Sequence, residues 1–182
     1  MRIEALAREH GVAVQLKPFL LGPIFKSLGW DTSPFVLQQR KGTYTWRDME
    51  RQCAKYGLAW TKPTSFPRRA LLPTRIALLA CDQSWVWDFC KRIMQANFVH
   101  DQEVDDPLLV SAILTELGLD ADGLINDARG EAAKAALHQQ SADANARGLF
   151  GAPSFLVGDE LFWGNDRLDD AIALAALMKK GR

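Results

Sequence analysis

The sequence is poor in the residues that usually announce an active site. Its 182 positions hold three cysteines, three histidines and two tyrosines. Cys53, Cys81 and Cys90 form no C-x-x-C pair, which argues against thiol–disulfide exchange. With the scattered histidines they make no metal-ligand spacing. No charge prevails, since 22 Lys and Arg balance 22 Asp and Glu. That balance removes the electrostatic footprint of nucleic acid or an anionic membrane. No apolar run is long enough to span a bilayer. The opening MRIEALAREHG lacks the apolar core of a secretory signal, so a cytoplasmic location is expected. The three cysteines then read as buried core thiols.

What is present is an ordinary globular composition, 48% apolar and 24% charged. Ile3, Leu6, Ala7 and His10 fall at helical spacing, and Gly11 stops that helix. Val12, Val14 and Leu16 alternate with polar or small residues, predicting a strand that Pro18 and Leu21-Gly22-Pro23 end. From about 23 to 128 the pattern is helical. Helices are predicted over Trp46–Tyr56, Arg69–Cys81, Ser84–Phe98 and from Asp106-Pro107 to Gly118, and LDADGLINDARG reads as a short amphipathic turn or helix. TKPTSFPRR reads as a proline-rich loop. Glu131–Arg147 is again helical. Ser154–Val157 and Glu160–Trp163 then flank Gly158-Asp159 as a hairpin, and Asn165 is expected to cap a last helix over Asp166–Lys180.

This order predicts an α/β, thioredoxin-like fold, with 1–22 and 129–182 as its core and 23–128 as an inserted helical domain. Such a unit opens with a strand, because a parallel crossover needs one before its helix. Here the pattern starts inside the helix.

Few residues carry candidate chemistry. Pro153 stands at the mouth of a strand, where it has no N–H to give a sheet. As a cis proline it would turn the backbone of Ala152 outward to pair with a peptide-like ligand; as a trans proline it would merely open an edge strand. Asn165, Asp166 and Arg167 at a helix start suit the ammonium and carboxylate of an amino-acid end, or plain capping. Lys41 suits a carboxylate, or is a solvated loop lysine. Trp30, Phe35, Tyr44, Trp46, Trp60 and Phe66 suit a flat aromatic substrate or simple helix packing. His10 and His138 read as helix-surface residues, and His100 has no visible partner.

The stretch GLFGAPSFLVGDELFWGNDRLDD resembles the C-terminal signature of the 2-hydroxychromene-2-carboxylate isomerases, relatives of the kappa-class glutathione transferases in the DsbA-like thioredoxin superfamily. KPFLLGPIFKSLGW, KGTYTWRDMERQCAKYGLAW and PTSFP are similar to the same family, in the same order. The resemblance implies glutathione as cofactor. Ala152 and cis Pro153 would meet its cysteine part, Asn165, Asp166 and Arg167 its γ-glutamyl end, and Lys41 the peptide nearby. Asp31 stands close to where the family has an asparagine, and an acid there would repel a carboxylate.

The family also begins with a strand and a loop whose serine activates the glutathione thiol. By that resemblance the activating serine belongs upstream of Met1. The first serine here is Ser27, beyond the predicted strand, so no catalytic residue is identifiable. The expectation is a chain shortened at its start, weakly active or inactive as it stands, or a short form pairing its open edge with a partner chain. The implied function is glutathione-dependent isomerisation of a small aromatic ring-cleavage product, by a homodimer. The alternatives are a kappa-class-like glutathione transferase, or a DsbA-like relative that acts only as a binding module.

Overall fold

The computed structural model describes residues 2–181. Met1 lies outside the described residues, and so does the serine loop expected upstream of it. Helix α1 (Ile3–Glu9) ends before Gly11, whose φ of 62° is costly for any residue with a Cβ. The chain then passes through Val12–Leu16 without regular secondary structure and pairs with no strand among the described residues. The expected strand is therefore corrected to an unpaired segment. The alternation that suggested it does report burial. Val12 and Val14 pack on Ala7, Leu168 and Ile172, and Leu16 on the helical core. A strand needs a hydrogen-bonded partner as well as a buried face.

Helix α2 (Leu21–Ser27) forms over the Gly22-Pro23 pair that read as a terminator. Pro23 lies in the first turn, where backbone N–H groups have no intrahelical partner to lose. A short α3 (Pro34–Leu37) leads into α4 (Gln39–Lys55), which begins seven residues before the predicted Trp46. The insertion continues with α5 (Leu71–Leu79), α6 (Val86–Phe98), α7 (Pro107–Glu116) and α8 (Ala121–Arg129). The Asp106 carboxylate caps α7 by accepting from the Leu108 N–H at 2.9 Å, as its sequence predicts. Phe89, Ile76, Leu114 and Val110 close one core among these helices.

The loop between α4 and α5 is pinned by Arg68, whose side chain is 3% exposed. Its guanidinium donates to Asp101 at 2.5 Å, Glu103 at 2.9 Å and the Asn97 carboxamide oxygen at 2.9 Å. The Asp101 carboxylate also accepts from the Thr64 N–H at 2.9 Å. That backbone donor, with Arg68 beside it, holds the Asp101 carboxyl below its ordinary range.

Helix α9 (Glu131–Ala146) packs against α2, α5 and α8 and so ties the insertion to the remainder. Strands β1 (Ser154–Val157) and β2 (Glu160–Trp163) pair antiparallel, Ser154 opposite Trp163 and Val157 opposite Glu160, with the boundaries expected. Helix α10 (Leu168–Lys180) covers β1 and meets α1. The result is an α/β thioredoxin-like fold with a large helical insertion. No helix among the described residues is long and apolar enough to cross a membrane.

The cysteines are less uniform than expected. Cys53 is buried, whereas Cys81 and Cys90 are part-buried; all three are free thiols. Burial raises the Cys53 thiol and pushes the Cys90 thiol up to about 11.

Candidate functional site

The Ala152–Pro153 peptide bond is cis. It lies between the end of α9 and the start of β1, with both residues exposed. The Pro153 carbonyl accepts from the Gly164 N–H at 2.9 Å, which joins the mouth of the hairpin to its exit. The N–H and C=O of Ala152 take no partner among the described residues. They form a short free edge of the kind that adds an extended peptide.

An aromatic pair flanks this edge and was missed in the sequence. Phe150 and Trp163 stand with ring centroids 5.0 Å apart, and each is about half exposed. Trp163 reaches this place because its register partner is Ser154, the residue after Pro153. The indole leans on Gly151, where a Cβ would collide with its Nε1. The F-W-G run carried the signal only as part of the family signature, since β-strand aromatics by themselves read as core.

Asn165, Asp166 and Arg167 form a 3-10 turn rather than the first turn of the last helix, which starts at Leu168. The expected Asn165 cap is therefore corrected: no side chain caps this turn or α10. Asn165 is instead held by Arg2, whose Nη2 donates to its carbonyl at 3.0 Å and its Oδ1 at 3.4 Å. Arg2 also donates to Asp169 at 3.0 Å and lies 4.6 Å from the Tyr56 ring centroid. Nothing in the local pattern of MRIEALAREHG points to this role, because Asn165 lies 163 positions away.

Asp166 and Arg167 serve each other. The Arg167 guanidinium donates to Asp166 at 3.1 Å and to Asp170 at 2.9 Å. The Asp166 bond, and then the two carboxylate charges, raise the Arg167 guanidinium above its ordinary value. Arg167 therefore orients Asp166 and has its own charge matched. The Asp166 side chain is 74% exposed, so its carboxylate remains open to an incoming cation.

The other candidates stand apart. Lys41 is in the first turn of α4, not in a loop, and α4 packs on α3 rather than on the hairpin or α10. Tyr56, which follows α4, is the residue that touches Arg2. Fifteen positions separate Lys41 from Tyr56, about 22 Å along a helix axis. Asp31 is exposed in the bend after α2. Ser27 is turned to a local task, its hydroxyl donating to the Ile24 carbonyl at 2.8 Å at the end of α2. The activating serine implied upstream of Met1 lies outside the described residues. Trp46, Trp60, Phe66, Phe35 and Phe98 form an aromatic cluster of their own, with Trp60 stacked on Phe98 at 5.6 Å.

Residues 1–173 match the DSBA-like thioredoxin domain, and the chain belongs to that family. It is 34% identical over 170 residues to the 2-hydroxychromene-2-carboxylate isomerase of Sphingobium xenophagum, covering 93% of this chain and 86% of that protein. It is a member of that isomerase's family. A solved 2-hydroxychromene-2-carboxylate isomerase superposes with a TM-score of 0.83 at 22% identity, over 99% of this chain and 88% of the other; at that identity the likeness speaks for the fold.

Proposed function

We propose that this chain is a glutathione-dependent isomerase acting on a hydroxychromene carboxylate or a similar ring-cleavage product. The observation that carries the reading is the free backbone edge of Ala152 beside cis Pro153, in a chain 34% identical to an isomerase of that name.

The residues present suit a γ-glutamyl tripeptide. The Ala152 N–H and C=O would pair with the cysteine part as an added strand does. The Asp166 carboxylate, oriented by Arg167, would hold the γ-glutamyl ammonium, and Asn165 would line the same end. When bound, glutathione supplies a thiol whose reversible addition to a conjugated system allows rotation about the former double bond. Phe150 and Trp163 would offer a flat apolar surface to an aromatic substrate next to that edge. Lys41 and Asp31 are carried into this reading by the family resemblance alone. A homodimer, a cytoplasmic location and a place in aromatic catabolism complete the proposal.

The test is a thermal melt with and without millimolar glutathione, followed by an isomerase assay with 2-hydroxychromene-2-carboxylate. A ligand that binds only the folded state raises the midpoint. The reading expects that rise, and turnover that depends on glutathione. Turnover independent of glutathione would overturn the cofactor assignment, and the absence of both binding and turnover would overturn the proposal.

A further inference from the structure

A cleft of about 410 Å³ opens between α2, α5 and α9, within the size range of small-molecule sites. No residue of the hairpin or of the 165–167 turn lines it. Its walls are apolar where α2 and α5 face α9, with Leu20, Ile24, Leu71 and Leu137. Its charged lining has one sign: Arg75 comes from α5 and Lys134 from α9, and the His138 ring of α9 lines it as well. On α9 the positions 134, 138, 141 and 145 follow helical spacing, so one face of that helix turns toward the cleft.

The bonding of these groups is uneven. Ser141 is occupied, accepting from the Leu20 N–H at 3.1 Å and donating to the Leu137 carbonyl at 2.8 Å. Lys134 is paired with Glu131 at 2.6 Å, but Glu131 is 89% exposed and so easily exchanged for water. Arg75 has no ion-pair partner among the described residues, and its Nε is buried with no hydrogen-bond partner. Glu131 feels Arg75 only as a weaker attraction, behind that of Lys134. A buried donor without an acceptor is costly. An unmatched guanidinium is the natural fork for a carboxylate.

We infer that this cleft is a binding site for a small organic carboxylate with an apolar body. The carboxylate would sit on Arg75, flanked by Lys134 and His138. The body would lie against Leu20, Ile24, Leu71 and Leu137. The apolar walls favour such an acid over a bare inorganic anion, which would leave them in contact with water. The site is separate from the Ala152 edge and does not rest on the isomerase reading.

Isothermal titration of the whole chain tests it with benzoate, its neutral counterpart benzamide, and inorganic phosphate. Benzoate is expected to bind, at least tenfold more tightly than either of the others. Arg75→Gln is expected to weaken benzoate at least tenfold, whereas Asp166→Asn, at the other site, leaves it unchanged. If Arg75→Gln does not fold, the exposed pair Lys134→Gln and His138→Ala decides, and a severalfold loss is expected. No benzoate binding at millimolar concentration overturns the inference. So does equal binding of benzamide or phosphate, or full benzoate affinity in the cleft variants.

Discussion

The indole of Trp163 occupies the space that a side chain at Gly151 would need. This contact sets the aromatic ring beside the cis Ala152–Pro153 bond, since Gly151 immediately precedes it. Gly151→Ala is expected to displace the ring and to cost about 1–3 kcal/mol, as overpacking does. In a domain of this size that lowers the midpoint by roughly 2–12 °C. The check is a melt of Gly151→Ala alone and combined with Trp163→Ala. The two changes should be strongly non-additive, because the second removes what the first collides with. Simple additivity would mean that the contact does not govern the mouth.

Asp166 is the open carboxylate of the proposed glutathione end, and Arg167 is its support. Asp166→Ala should abolish most of the glutathione-induced rise in midpoint, with affinity falling about tenfold for a lost charge-assisted bond. Arg167→Ala should weaken binding less, because the carboxylate survives without its orienting partner. Titration of both variants with glutathione gives the order. A larger loss in Arg167→Ala would assign the arginine, not the acid, to the ligand.

The Arg68 cluster is structural. Its donors are matched by Asp101, Glu103 and Asn97, so Arg68→Met removes a buried cation and leaves part-buried Asp101 and Asn97 without their donor. The midpoint should fall by roughly 5 °C or more. The pH dependence has a definite sign. The Asp101 carboxyl is lowered in the fold, so its contribution is complete above the unfolded value of about 3.9 and fades as pH drops through the lower folded value. Melts of the parent chain and Asp101→Asn should therefore differ at pH 6 and converge in strong acid. A gap that widens on acidification would reverse the assignment.

Cys90 should be a poor nucleophile. With its thiol pushed up to about 11 by burial, its thiolate fraction at pH 8 is roughly a hundredfold or more below that of a free cysteine. Labelling with iodoacetamide, read by peptide mass, should modify Cys90 fast only after unfolding. Rapid labelling in the native chain would show that the site opens.

The hairpin, the Asp106 cap and most helices of the insertion were legible in the chain itself. Each is set by residues within a few positions of one another: Gly158-Asp159 between two apolar runs, Asp106 before Pro107, apolar residues at helical spacing. A proline at the hairpin mouth was legible as part of a contiguous motif, while its cis bond is a finding of the structure. The errors fell where a neighbour in sequence is not the neighbour in space. Val12–Leu16 alternates like a strand, but pairing is a property of two segments, and none of the described residues supplies the second. Asn165 has the composition of a cap, yet Arg2 takes it. Tyr56, just past the end of α4, meets Arg2 and so the group around Asn165, a contact that nothing near Tyr56 in the chain announces. Arg75 and His138 meet in one cleft because α5 packs on α9. Local sequence determined conformation through short-range sterics and hydrogen bonds; tertiary packing decided which side chains converge, because that depends on contacts between segments far apart in the chain.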